Sequence, residues 1–438
     1  MKPTAKNSTN STTTGRSDVG IWHRLGQRAE EKGDTPIAVV GAGYVGTGVV
    51  HSIAQSPGMS PCLVVNRNTD RAVAAFAQLG IDPESVVISE DASVLTEALR
   101  AGKPSVTTHS SILTDLPIDI VVEVTGALDY GTETILAMLD AGKHVVSFNA
   151  ESDALLGWLF HERARANDVI YTIADGDQPG VLFRLKQEVE QMGFEVTALL
   201  NCKRHLDVHQ NPETGAGYAA RDTTSSHMTT AFGDGTKMQV EQAVVANATG
   251  TIPDVRGMHG IESSVATAAV DIPAALSAPG RVDFTLGGDF GAGVGIIGTH
   301  PNHELHSQAM GFYKMGPGPD YFFFRPYHLV HLEIPLTIAE LMLDNEPLIT
   351  IDQPHLAEVV AIAKKDLATS EKLDCIGGFS AYGHIDTAAG AEGYLPIGLV
   401  EYATTTADVA QDEPIPLSAV SLDESKTIVR EWKAMHGL

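Results

Sequence analysis

The stretch Pro36–Ala54, "PIAVVGAGYVGTGVVHSIA", runs from an apolar segment through a glycine-rich turn into residues that suit a helix. The order strand, turn, helix assigns each glycine a task. Gly41 permits the tight turn, Gly43 lets backbone approach a pyrophosphate, and Gly46 lets the helix pack on the strand. Tyr44 and Val45 fall in the first helical turn, whose free N–H groups favour phosphate oxygens. A second apolar run, Cys62–Val65, ends at Asn66, about 20 residues beyond Gly46, where the residue that holds the adenosine ribose is expected. An Asp or Glu there would repel a 2′-phosphate. This chain instead has Asn66-Arg67-Asn68, which favours NADP and leaves NAD as the alternative. Arg67 could also be a solvated surface residue.

Further strands follow the same pattern. "IDIVVEVTG", Ile118–Gly126, ends in a small-residue loop, and "GTETILAMLDAGKHVVSFN", Gly131–Asn149, reads as helix, glycine stop and strand. Strand ends face the cofactor crevice in such sheets, so Thr125, Gly126 and Asn149 are expected at the nicotinamide half. With a short amphipathic helix from Asp18 to Glu31, residues 18–150 form a Rossmann domain in an α/β protein.

Lys and Arg number 29 against 55 Asp and Glu, a net charge of −26. Such a surface repels a phosphate-rich polymer, so nucleic acid is not expected as a partner. Cys62, Cys202 and Cys375 show no metal-ligand spacing and fit a reducing compartment. No apolar run reaches the length of a membrane span, and the opening lacks the apolar stretch of a signal peptide. A cytoplasmic location without membrane contact is therefore expected. The Ser/Thr/Asn-rich residues 1–17 are too polar to bury much surface and are expected to be disordered.

From residue 151 the pattern changes, and 151–350 is expected to be an α+β substrate and dimerisation domain. "FEVTALLNCKRHLD", Phe194–Asp207, reads as a strand that ends beside Lys203, Arg204 and His205. Cations are scarce in this chain, so the cluster points to an anion site. Lys203 could move a proton once burial or the neighbouring Arg204 lowers its pKa. Asp177, in the loop "DGDQPG" after a strand, could orient Lys203 or take a substrate hydroxyl. Glu151 and Asp153 follow Asn149 and read either as substrate contacts or as helix-start carboxylates stabilised by the dipole.

The residues "GAGYVG", "EVTG", "GKHVVSFNAESD", "GDQPG" and the strand ending at Lys203 resemble the homoserine dehydrogenase-like oxidoreductases. "VVANATGTIPDVRGMHG" (Val244–Gly260) and "YFFFRPYHLVHLEIPLTIA" (Tyr321–Ala339) resemble the branch with a C-terminal SAF domain, which includes enzymes acting on 1-deoxy-D-xylulose 5-phosphate in isoprenoid precursor synthesis. The resemblance runs from about Asp18 to the C-terminus. It implies hydride-transfer chemistry with Lys203 as catalytic lysine. It also implies a divalent metal, magnesium or manganese, with Asp177, Glu151 and Glu241 as oxygen ligands. That reductoisomerase-like subgroup has Gly-Lys-Gly-Lys where this chain has Leu200-Asn201-Cys202-Lys203. The substrate is thus less well carried over than the lysine, and a sugar-acid or hydroxy-acid dehydrogenase is the alternative enzyme. A non-catalytic NADP-binding regulator is the alternative outside enzymes.

His209–Asp234 is polar and glycine-containing, either a lid that excludes water or a surface excursion. Thr236 and Gln239 have capping-box spacing. Arg325 and His328 could bind a substrate phosphate or carboxylate; a carboxylate partner for Arg325 is the competing reading. His259 is expected in the core. Residues 351–438 carry short strands and frequent turns that resemble a SAF β-clip, with Ser370 where glycine is common. A homodimer is expected, with this β domain over the active site or in the dimer contact.

Overall fold

The computed structural model describes residues 20–217, 219 and 225–438; the tail expected at 1–17 lies outside them. Seven strands form the first sheet: β1 Thr35–Val40, β2 Met59–Val65, β3 Val87–Ile88, β4 Ser105–Thr107, β5 Ile120–Glu123, β6 His144–Ser147 and β7 Tyr171–Ile173. Their order is β3-β4-β2-β1-β5-β6-β7, with every pair parallel. Parallel strands are covered on both faces and so read as near-continuous apolar runs. Ile37, Ala38, Val39 and Val40 are accordingly all fully buried. Helices α1 Ile21–Lys32, α2 Tyr44–Ala54, α3 Thr69–Ala77, α4 Ala92–Arg100, α5 Leu128–Asp140 and α6 Ala150–Ala166 accompany the sheet. This is the expected α/β Rossmann architecture. The sheet continues past residue 150, because β7 pairs with β6 through Val145↔Tyr171.

Helix α7, Gln178–Gln191, leads into a mixed sheet of β8 Glu195–Lys203, β9 Ile252–Pro253, β10 Ile261–Glu262, β11 Arg281–Leu286, β12 Gly293–Thr299 and β13 Asp320–Arg325. Its order is β10-β11-β8-β12-β13, with β11 parallel and β12 antiparallel to the central β8. Helix α8 spans Ser226–Gly233, and α9 spans Thr236–Thr249, buried from Thr236 through Asn247. A helix apolar enough to be buried on all sides belongs in a core; α9 therefore makes its polar residues act inside the protein. Helices α10 Ala268–Ala275, α11 His303–Phe312 and α12 Ile334–Asp344 complete the unit. The chain returns to the first domain at α12, where Ile334, Ile338 and Leu341 join the core beneath β1.

The C-terminal part pairs β14 Ala357–Ala363 with β15 Ala381–Thr387, and β16 Ala403–Thr405 with β17 Val420–Leu422; α13 Ala388–Ala391 follows β15, and α14 Thr427–His436 follows β17. It docks on α9 through side chains. Thr236 Oγ1 accepts from Gly383 N at 2.9 Å, and Gln239 Oε1 accepts from Ile385 N at 2.9 Å. The capping box expected from these two residues is therefore absent. Gly235 caps α9 in a left-handed conformation, φ 84°, with no side-chain bond, and the two polar groups satisfy the neighbouring strand instead. No helix among the described residues is long and apolar enough to cross a membrane.

Candidate active site

The glycine-rich loop has the close contacts its sequence requires. Gly41 takes φ 115°, and a Cβ at Gly46 would lie 2.1 Å from Gly41 O. Asn66 Oδ1 accepts from Ala42 N at 3.1 Å, so the residue at the end of β2 also braces the loop. Gly41, Gly43, Asn66, Arg67, Arg71 and Thr125 line a cavity of about 340 Å³. Arg71 also lines an adjoining cavity with Tyr44, His51 and His331. Arg71 was not legible as a site residue because it lies inside α3, whose sequence reads as an ordinary surface helix. His331 meets Tyr44 edge to face, with ring centroids 5.7 Å apart. Val45 is in the first turn of α2, packed against the first-domain core.

At the other end of the crevice, Thr125 N donates to Glu123 Oε1 at 2.9 Å, and its hydroxyl bonds the same oxygen. Gly126 follows with φ 64°. Asn149 caps α6 by accepting from Ser152 N at 3.2 Å. Neither Glu151 nor Asp153 is that cap. Asp153 is buried and accepts from the Tyr171 hydroxyl at 2.9 Å. Burial pushes its carboxyl up to about 7; the Tyr171 bond opposes this and Asp177 adds to it. A carboxylate whose folded pKa is raised holds its proton more tightly when folded. Stability therefore falls as the pH rises from about 4 towards 7. Asp153→Asn keeps an acceptor for Tyr171 and removes this penalty. Its Tm relative to wild type is expected to improve between about pH 5 and about pH 8, as thermal denaturation at both values would show.

Glu151 reaches the centre of the molecule. Its Oε1 and Oε2 lie 3.1 and 3.3 Å from Lys237 Nζ, and Glu241, one turn along α9, lies 4.0 Å from the same nitrogen. Asn201 on β8 donates to Glu241 Oε2 at 3.2 Å. Asp177 is buried, faces Lys237, His328 and Glu151 electrostatically, and keeps Oδ2 without a hydrogen-bond partner among the described residues. Burial pushes Glu241 up to about 8, with Lys237 opposing and Asp177 and Glu151 adding. Lys237 moves the other way from most buried amines. Burial lowers its pKa, but Glu151, Asp177 and Glu241 more than reverse the effect, so it stays charged. Lys203 is half-buried and donates to Phe232 O. Its pKa is lowered by burial, against the attraction of Glu241 and Asp234.

The expected cluster of Lys203, Arg204 and His205 is not assembled. Arg204 and His205 are exposed, and Arg204 Nε donates to Phe290 O at 2.6 Å. Carboxylates and burial, not Arg204, set the field around Lys203. Arg325 is paired with Glu333, whose other oxygen accepts from Leu329 N at 3.0 Å. The carboxylate partner that competes with a substrate anion for Arg325 is therefore present. His328 Nδ1 contacts Gly176 O at 3.1 Å, beside Asp177. His259 is exposed and not in the core, and its Nε2 lies 3.2 Å from Asp254.

The metal ligands implied by the resemblance also need correction. Glu151 and Glu241 do converge, but on the ammonium of Lys237, which Asp177 faces electrostatically without a hydrogen bond. Among the described residues no His, Cys, Asp and Glu group has an arrangement that could hold a metal ion.

A cavity of about 470 Å³ joins the two halves of the site, lined by Gly126, Asp129, Glu151, His227, Glu401 and Lys426, among others. The C-terminal β unit therefore forms one wall. Of the segment His209–Asp234, residues 209–217, 219 and 225–234 are described. Gln210 within it is buried and bonds Thr229 O at 3.0 Å, and α8 is capped by Ser225, which accepts from Met228 N at 3.1 Å.

Residues 41–172 match the family model of the homoserine dehydrogenase NAD-binding domain, and residues 176–334 match that of the oxidoreductase DRL catalytic domain. The chain is an NAD(P)-dependent oxidoreductase. Among solved structures, a probable dehydrogenase from Thermotoga maritima is similar at 14% identity and TM-score 0.40, covering 71% of this chain and 90% of its own. The 1-deoxy-D-xylulose 5-phosphate reductoisomerase from Zymomonas mobilis, in complex with NADPH, is 17% identical with TM-score 0.34, covering 49% of this chain and 57% of its own. The apo scyllo-inositol dehydrogenase from Lactobacillus casei is 13% identical with TM-score 0.41, covering 72% and 89%. No curated protein matches the chain.

Proposed function

We propose that this oxidoreductase prefers NADP(H) and interconverts a hydroxyl and a carbonyl on a small anionic hydroxy or keto compound. One observation carries the reading: the buried Glu241 lies 4.0 Å from Lys237 and accepts from Asn201, on the strand that ends at Lys203, with burial lowering the Lys203 pKa and carboxylates raising that of Lys237. Glu151, which pairs with Lys237, lines the cavity that Gly126 also lines. The nicotinamide, when bound, supplies hydride transfer at the substrate carbon. Lys203, with its lowered pKa, takes or returns the hydroxyl proton. Lys237, held charged, polarises the oxygen on which negative charge develops. Asp177 keeps an open acceptor for a substrate hydroxyl.

In the cofactor half, Arg67 and Arg71 line one cavity and no carboxylate stands at position 66, which supports NADP over NAD. Replacing both arginines by serine is expected to weaken NADPH binding roughly a hundred- to ten-thousandfold, as each charge-assisted phosphate contact contributes about 1.5–3 kcal/mol. NADH binding is expected to change little, as fluorescence titration would show.

The substrate bet is 1-deoxy-D-xylulose 5-phosphate, converted in a reductoisomerase-like reaction. The acidic wall of Asp129, Glu151 and Glu401 favours a second reading, a polyhydroxylated sugar acid whose hydroxyls these carboxylates would accept. The deciding assay follows NADPH oxidation with the first compound and NADP reduction with a panel of sugar acids. Turnover with neither, despite tight NADPH binding, would move the reading to a regulator. We also read the C-terminal unit as SAF-like: Ser370 adopts φ 68°, the left-handed conformation that glycine favours. A homodimer belongs to the same reading, supported by α11, which has no buried residue and exposes Leu305 and Phe312.

A further inference from the structure

We infer that the Lys237 ammonium is the resident cation of the carboxylate centre formed by Glu151, Asp177 and Glu241, and that the protein takes no divalent metal there. The carboxylates are disposed about a positive charge of the chain itself. Three acidic side chains from α6, the loop before α7, and α9 meet in the interior, with the Glu151 and Glu241 side chains only 14% and 6% exposed. Asp177 is itself more than nine-tenths buried and keeps an unpartnered oxygen. Buried carboxylates need a counterion. What meets them is a side chain of the same chain, 9% exposed and within 3.1 and 3.3 Å of both oxygens of Glu151.

A magnesium or manganese ion would need several oxygens at about 2.0–2.6 Å. Glu151 has both oxygens turned to Lys237, and Glu241 has one oxygen towards Lys237 and the other engaged by Asn201. An ion placed among them would crowd the ammonium and be repelled by it. Lys237 stands on a stretch of α9 buried through Asn247, and its side chain is only 9% exposed. Lys203 adds a second positive charge near Glu241. The inference holds for any substrate, so it stands apart from the proposed reaction.

The test is thermal denaturation of the full chain in EDTA and in millimolar manganese, for wild type, Lys237→Met and Lys237→Met combined with Glu241→Gln. Wild type is expected to show the same Tm in both conditions. Lys237→Met vacates the centre, and manganese is expected to raise its Tm by about 2–3 °C through binding to the folded state alone. Glu241→Gln should abolish that rise. A comparable rise in wild type, lost in the single variant Glu241→Gln, would overturn the inference. So would a folded Lys237→Met that manganese leaves unchanged, since the carboxylates would then not form a cation site. If Lys237→Met does not fold, wild type and the single Glu241→Gln variant decide the matter by the same criterion.

Discussion

Lys237→Met is expected to lower turnover by roughly a hundred- to ten-thousandfold, the range lost with a positioned proton-transfer or polarising group. NADPH affinity should stay within about twofold, because Lys237 contacts Glu151 and Glu241 and none of the glycine-loop residues. The informative variants are the arginines. Lys237 is held in its charged form by three carboxylates, so its work is electrostatic, and arginine keeps the charge. Lys237→Arg should recover part of the loss. Lys203 has its pKa lowered by burial, which suits a group that gives and takes a proton. Arginine does not deprotonate in proteins, so Lys203→Arg should be as inactive as Lys203→Met. Rates for the four variants on the compound that supports turnover, with NADPH binding measured alongside, test the division of labour. Equal rescue of both positions by arginine would defeat it.

The cofactor half was legible because its constraints are steric and local. A Cβ at Gly46 has nowhere to go, so the glycine spacing reports three-dimensional contact directly. The catalytic half was less so. Lys203, Arg204 and His205 look like a cluster in one dimension, yet successive residues of an extended chain point to opposite faces. Lys203 ends β8 and turns inward, while Arg204 turns to Phe290 O. Lys237 left a fainter trace. It sits in "TKMQVEQAVVANAT", whose polar residues form no stripe at helical spacing, and Lys237 and Glu241 stand four residues apart. A helix without a polar face is a buried helix, and an ion pair within it is then an internal one. That reasoning could have found the residue. The docking of Thr236 and Gln239 on the C-terminal strand could not have been found this way. The capping-box spacing is local, whereas their partners Gly383 and Ile385 lie 147 and 146 residues away.

The same distant contact makes Lys364 the residue whose loss should cost the fold most. Its ammonium is 3% exposed and bonds Asp234 Oδ2 at 2.7 Å, Gln210 O at 2.8 Å and Gly378 O at 3.0 Å. Asp234 is fully buried, and its other oxygen accepts from Thr236 N at 2.9 Å at the start of α9. One buried lysine of the β unit thus holds the entry to the helix that carries Lys237 and Glu241. Lys364→Met leaves a carboxylate buried without a counterion, which is expected to destabilise the protein by about 3–5 kcal/mol. Denaturant unfolding should show the loss as a lower midpoint. Adding Asp234→Leu removes the orphaned charge, and buried ion pairs replaced by apolar pairs are often close to neutral. Full recovery is not expected here. Two buried carbonyls, of Gln210 and Gly378, would still lack their donor at about 1–3 kcal/mol each, and Thr236 N would lose its acceptor. The double variant should therefore fall between Lys364→Met and wild type. A double variant no more stable than Lys364→Met would show that the cost lies in the carbonyls and the start of α9, not in the buried charge.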